Sequence, residues 1–182
     1  MTRALVIVDI QNDYFPGGAF PLVGPEEAAA TASRVLAKFR EGGEPVAHVQ
    51  HVWDEPDAEF MVPGTDGVEI HVDVAPADGE PVFQKDEPNA FLRTGLEEQL
   101  RSWGSDEIVV CGMMTSLCVD ATVRAGSDLG FEVTLLRDAC AAPDLEYDGV
   151  SVPAASVNAA FLAPLADSYA TVMEADGLDF GG

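Results

Sequence analysis

The sequence predicts an α/β fold in three layers: a central, mainly parallel sheet with helices on both faces. Two observations carry this expectation. Short runs rich in Val and Ile recur at 4–8, 45–49, 81–84, 107–111 and 131–136, with a weaker sixth at 169–173. Between most of them lie segments with helical spacing, and strands that alternate with helices pack as a parallel sheet buried on both sides.

The first helix is expected over Glu26 to Arg40, where Ala29, Ala32, Val35, Leu36 and Phe39 form one stripe. Pro25 suits a first helical position and Gly42-Gly43 a stop. Similar spacing predicts helices over 92–102, 117–129 and 153–165, the middle two of the four ended by Gly104 and Gly130. The stretch 53–79 is the exception. It is rich in Asp, Glu, Pro and Gly and holds no sustained period, and loops of this length inside a compact domain usually serve function. Its apolar residues Trp53, Phe60, Met61 and Val62 have two uses open to them, as a lid over a pocket or as a contact with a neighbouring subunit.

At 182 residues, with 47% apolar residues, the chain is expected to fold as one domain, 1–182. A net charge of -23, from 32 acidic against nine basic residues, repels nucleic acid and anionic membrane surfaces. No apolar run is long enough to cross a bilayer, and Met1-Thr2-Arg3 leads directly into a strand, so a cytoplasmic location is expected. The three cysteines, Cys111, Cys118 and Cys140, cannot all pair and are read as reduced thiols.

Three residues far apart in sequence carry the chemistry. Asp9, in Val8-Asp9-Ile10-Gln11-Asn12-Asp13, and Lys85, in Val82-Phe83-Gln84-Lys85, each lie at a probable strand end. Cys118 follows the strand 107–111 and opens a helix. Open α/β sheets place ligands at the carboxyl ends of their strands. A carboxylate to take a proton, a cation to hold a thiolate and a thiol in the first turn of a helix together describe a nucleophilic cysteine. The free N–H groups and dipole of that turn would lower the thiol pKa and could also hold an oxyanion. Taken singly, each residue has a plainer use: a buried apolar cysteine, a turn-forming aspartate, a solvated lysine. Lysine is scarce, occurring only at 38 and 85, so one inside an apolar strand stands out.

His48, His51 and Asp54 are spaced three apart, with His71 further on, and invite a metal test. Residues three apart in a strand point to opposite faces, so His48 and His51 are not expected to converge on a metal. One of them lining a pocket is the simpler expectation.

Together these segments resemble the isochorismatase-like cysteine hydrolases, the superfamily that includes nicotinamidases and N-carbamoylsarcosine amidohydrolases. The markers are Val8 to Asp13, Lys85 followed by Asn89-Ala90-Phe91, Gly112 to Cys118 continuing through Val119-Asp120-Ala121-Thr122-Val123-Arg124-Ala125, and Leu136-Arg137-Asp138-Ala139-Cys140-Ala141. The resemblance covers nearly the whole chain. It implies a Rossmann-like fold, Cys118 as nucleophile, Asp9 as general base and Lys85 as the cation beside them, with no cofactor and no metal. It also implies a cis Met113–Met114 peptide and an oxyanion hole formed by the N–H groups of Met114 and Cys118. Gln11, Phe15, His51, Trp53, Phe60, Phe91 and Met113 are expected to line the pocket.

The reaction so implied is hydrolysis of the C–N bond of a small amide or carbamoyl compound through a thioester. True isochorismatases of this fold lack the cysteine, which argues against that activity here. Gln50 and Val52 stand where nicotinamidases carry a metal-binding Asp and His, and Ser116 and Asn158 replace histidines of similar bacterial members. Two other readings stay open: hydrolysis of an ester, vinyl ether or cyclic amide, and a silent member that binds small molecules. Members of the family commonly assemble as dimers or tetramers, so a homo-oligomer is expected, with apolar surface offered by 117–129 and 53–79.

Overall fold

The computed structural model describes residues 2–180. Six parallel strands form its sheet: β1 (Thr2–Val8), β2 (Val46–His51), β3 (Val82–Lys85), β4 (Ser105–Met113), β5 (Glu132–Ala141) and β8 (Thr171–Met173), in the order β3-β2-β1-β4-β5-β8. Every pairing among them is parallel. β1 is flanked by β2 and β4, so the chain winds outward from it in both directions. The crevice beyond the carboxyl ends of β1 and β4 is the switch point at which such sheets bind ligands.

Alternation along β1 divides the core. Leu5 and Ile7 face one layer with Ala29, Ala32, Val35, Leu36 and Phe39 of α1 (Pro25–Gly42). Ala4, Val6 and Val8 face the other, with Leu96 and Leu100 of α2 (Leu96–Ser102), Val123 of α3 (Asp120–Asp128) and Leu165 of α4 (Ala154–Ser168). Period-2 alternation with both faces apolar is what a sheet covered on two sides requires. α1 begins with Pro25 at its first turn and ends at Gly43 in the left-handed region (φ 64°), as its stop signal predicts.

Four departures from the expected elements have local causes. α2 starts at Leu96 rather than 92, because the Thr94 hydroxyl donates to the Ala90 carbonyl and accepts the Leu96 N–H, holding 89–95 in turns. Before α3, residues 115–119 form a wide turn in which the Val119 N–H reaches the Met114 carbonyl five residues back. β4 and β5 run longer than their Val/Ile runs, carrying the sheet up to Met113 and Ala141. An antiparallel hairpin, β6 (Leu145–Tyr147) with β7 (Val150–Val152), had not been anticipated. Its signal was Asp148-Gly149, both at positive φ (50° and 75°), the dipeptide that the tightest hairpin turns favour.

The 53–79 segment folds back onto its own chain. Met61 and Val68 are buried in the α1-side core, the Asn12 and Asp13 N–H groups donate to the Glu69 and Gly67 carbonyls, and His71 donates to the Ile10 carbonyl. Both carboxylate oxygens of Asp13 are committed here, accepting the N–H groups of Ala19 (3.0 Å) and Met61 (2.6 Å). A Cβ on Gly67 would lie 2.1 Å from Asp13 Oδ1, so only glycine allows this approach. Among the described residues no helix is long and apolar enough to cross a membrane.

Candidate active site

The site is built where three strands end. Asp9 is the first residue past β1 and has φ 51°, an uncommon conformation for a non-glycine residue and one that clusters at functional positions. Lys85 is the last residue of β3. Cys118 lies in the turn after β4. The approach of β4 to β1 is close: Gly112 has φ 139°, and a Cβ there would come within 1.9 Å of the Val8 carbonyl oxygen. The Met113–Met114 peptide that follows is cis.

These strand ends bring Asp9, Lys85 and Cys118 into contact. The Lys85 ammonium lies 2.7 Å from Asp9 Oδ2, 2.9 Å from His51 Nδ1 and 3.4 Å from Cys118 Sγ. The ammonium thus donates to His51 and Cys118 and pairs by charge with Asp9. The side chains of Asp9 and Lys85 are 0% exposed. Neither Asp9 oxygen accepts a well-angled hydrogen bond among the described residues, so the opposite charge of Lys85 is what compensates its burial. An acceptor left this bare beside a thiol is suited to take the thiol proton.

Protonation states follow from these surroundings. Burial disfavours the Lys85 ammonium, but Asp9 and Cys118 outweigh it and hold its pKa above the ordinary lysine value. For Cys118, burial comes first and the Asp9 charge adds to it, and together they raise the thiol pKa well above its usual range against the pull of Lys85. This corrects the expectation that the helix turn would depress it: a residue 2% exposed next to a carboxylate keeps its proton in the resting state. Burial and the neighbouring acid therefore favour thiol over thiolate at Cys118, beside the ammonium of Lys85. Moving the thiol proton to Asp9 gives neutral acid, ammonium and thiolate, and both arrangements carry zero net charge. Proton transfer within the centre thus avoids the cost of an uncompensated buried charge.

His51 completes the arrangement. Burial and the Lys85 charge lower its pKa, so the ring is neutral, with Nδ1 accepting from Lys85 and the proton on Nε2. The reactive atoms of Asp9, His51 and Cys118 lie within 4.8 Å of one another, a spacing that a metal ion could bridge. The ammonium of Lys85 already contacts all three. His48 takes no part: it points the other way and bonds to Glu80, as strand alternation predicts. His71 stacks on Phe15 instead, ring centres 3.8 Å apart.

Beside Cys118 opens a cavity of about 230 Å³ lined by Tyr14, His51, Trp53, Phe60, Asp86, Pro88 and Leu117. Of the residues expected to line it, His51, Trp53 and Phe60 do. The other four do not. Gln11 lies beneath, its amide bridging the His51 N–H and carbonyl and donating also to the Val68 carbonyl, so it fixes the end of β2 rather than meeting a ligand. Phe15 borders a separate, larger depression of about 650 Å³ with Asn12, Asp66 and His71. Phe91 stacks on Phe131 in the opposite layer, and Met113 is buried in the α1-side core. In the turn Tyr14-Phe15 it is Tyr14, 2% exposed, that faces the cavity. A 3-10 turn over 12–14 sets that choice, and residue types alone do not reveal it. Asp86, Pro88 and Leu117 were also missed, although each is next to, or three residues from, a residue already singled out. Gln50, at a family metal position, donates to the Val68 carbonyl and accepts from Gln84. Ser116 is half-buried in the cysteine turn, and Asn158 Oδ1 is buried without a hydrogen-bond partner among the described residues.

The Isochorismatase domain family model matches residues 3–174. An isochorismatase family protein of Bacillus subtilis (strain 168), YddQ, is 47% identical over 172 residues, covering 94% of this chain and 96% of that one. The crystal structure of a cysteine hydrolase from Pseudomonas syringae pv. phaseolicola 1448A superposes with a TM-score of 0.90 at 25% identity, over 96% of this chain and 89% of that one. That of N-carbamoylsarcosine amidase from Thermoplasma acidophilum does so at 0.83 and 25% identity, over 98% and 99%. With its parallel sheet and strand-end site, this chain belongs to the isochorismatase family of hydrolases.

Proposed function

We propose that the protein is a cysteine amidohydrolase, cleaving the C–N bond of a small amide or carbamoyl substrate through a thioester on Cys118. The observation that carries this reading is the single buried ammonium of Lys85 joining Asp9, His51 and Cys118. In the first step Asp9 takes the proton of Cys118 as sulfur bonds to the carbonyl carbon, and Lys85 changes partner from carboxylate to thiolate. The tetrahedral oxyanion is held by the N–H groups of Met114 and Cys118. Asp9, now protonated, gives its proton to the departing nitrogen, which leaves as ammonia or an amine. It then takes a proton from the water that hydrolyses the thioester.

Support for a cysteine nucleophile and an amide substrate comes from the relatives described as a cysteine hydrolase and an amidase. The test is ammonia release from a panel of small primary amides and ureido compounds. Cys118→Ala is expected to reduce turnover by about 10⁴-fold or more, the scale seen when a nucleophile is removed, while leaving the fold intact. Turnover retained in that variant would overturn the assignment.

A further inference from the structure

We propose that the cavity beside Cys118 selects small amides bearing a positively charged group and rejects those bearing a carboxylate, an inference that rests on Cys118 being the nucleophile. At about 230 Å³ the cavity is smaller than sites for drug-sized ligands, so the charged group and the scissile amide must lie close together. Three of its walls are aromatic. The Phe60 ring centre lies 5.3 Å from that of Trp53 and 6.2 Å from that of Tyr14. Aromatic faces attract cations and repel anions, and they do so most strongly where water is excluded.

The mouth is acidic. The Trp53 N–H donates to the Met61 carbonyl, closing a loop that carries Asp54, Glu55, Asp57 and Glu59, all exposed and without a basic residue among them. Both ends of that loop, Trp53 and Phe60, are cavity wall. On another side Asp86 lines the cavity and Glu87 follows it. The one guanidinium near them, Arg93, is shared between the two at 3.4 and 3.5 Å. The cavity therefore has one carboxylate, Asp86, in its lining and Glu87 next to it, and four more on the loop that joins two of its walls. The charges of Asp86 and Glu87 reach inside: after burial and Lys85, the groups that act on the His51 ring are Asp9, Asp86 and Glu87.

Behind the cavity wall the cation is Lys85, whose ammonium is already held between Asp9, His51 and Cys118. It cannot anchor a substrate carboxylate without giving up one of those partners. An entering carboxylate would lose its water among like charges and aromatic faces, whereas an amino or guanidinium group would exchange water for carboxylates and ring faces. The net charge of -23 extends the same preference to the approach.

The test uses the full chain and needs no substrate. Cys118 is modified with methanethiosulfonates carrying an aminoethyl, a methyl or a sulfonatoethyl group, and each rate is divided by that of the same reagent with a free small thiol. Peptide mass spectrometry locates the label, with buried Cys111 and Cys140 as internal references. The expected order is cationic, neutral, anionic, with about tenfold or more between the extremes at low salt, narrowing as salt is added. A variant combining Asp54→Asn, Glu55→Gln, Asp57→Asn and Glu59→Gln, all on exposed positions, is expected to lose most of that preference. Rapid labelling of Cys118 that is blind to reagent charge would overturn the selectivity and leave the nucleophile standing. A Cys118 that resists all three reagents in the folded chain and reacts only after denaturation would overturn both.

Discussion

Two histidines three residues apart on β2 sit in opposite kinds of polar surroundings. His48 is buried and neutral, its pKa lowered by burial, and it donates Nε2–H to Glu80 at 2.8 Å. Glu80 is fully engaged, with Arg40 across both of its oxygens (2.8 Å each) and the Ala77 N–H at 2.9 Å. The Arg40 hydrogen bonds are the chief reason its pKa falls from 4.5 to about 2, with Ala77 and His48 adding to them. His51, on the other face, accepts from a lysine that also holds a carboxylate with no well-angled hydrogen bond and a protonated thiol. The first cluster satisfies its charges with several donors and ties α1 to β2 and the chain before β3. The second leaves an acceptor bare beside a proton that can move. His48 Nδ1 is buried without a partner among the described residues, so the contrast lies in the carboxylates: one with its oxygens filled by donors holds a fold together, and one left short of donors is poised for chemistry.

The sharpest way to break this contrast is Lys85→Met. It leaves the Asp9 carboxylate buried without its cation and is expected to cost about 3–5 kcal/mol in denaturant unfolding, along with turnover. Adding Asp9→Asn to it should recover much of the stability and none of the turnover. If the double variant is as unstable as the single one, the two side chains do not form the compensated pair described here.

Glu80→Gln tests the other cluster. Loss of charge-assisted hydrogen bonds should cost about 1–3 kcal/mol at neutral pH, with turnover unchanged. The sign of the pH effect is fixed by the lowered pKa: Glu80 stabilises the fold fully above 4.5, and that contribution disappears as pH falls toward about 2. The variant should therefore lose less stability than the parent over that interval. An identical acid limb in both would refute the assignment.

The smallest expected effect is at His51. His51→Leu removes one acceptor from a buried ammonium and should lower kcat by about tenfold, the equivalent of one hydrogen bond to a charged group. His51→Gln, whose amide oxygen can accept, should restore most of it if the role is to position Lys85. Failure of that rescue would point instead to a role for the Nε2 proton on the cavity wall.

That Asp9, Lys85 and Cys118 come together was legible in the sequence because strand ends are easy to locate and three chemically compatible side chains lay at or just beyond them. The alternation that separates His48 from His51 was legible for the same reason, since a period of two in a strand assigns faces without knowing the fold. Pocket walls were legible only in part: His51, Trp53 and Phe60 line the cavity as expected, and the others do not. Tyr14 and Phe15 are adjacent aromatics, and the short turn after β1 decides which enters the cavity and which stacks on His71. Gln11 is polar and next to Asp9, yet its amide is consumed by backbone at His51 and Val68. The protonation of Cys118 also lay beyond sequence, because burial and a neighbouring carboxylate oppose the helix turn and only folded distances say which wins.

By itself the sequence determined the parallel sheet, the division of its faces, the family markers and the three residues at the strand ends. These follow from local periodicity and from side-chain chemistry that is the same in any context. The tertiary structure decided that Lys85 meets Asp9, His51 and Cys118 at once, that burial and a neighbouring carboxylate raise the thiol pKa, and that a loop of four carboxylates joins two aromatic walls of the cavity. Those depend on distances between segments remote in the chain, and electrostatic interactions are set by such distances and by the water that folding removes.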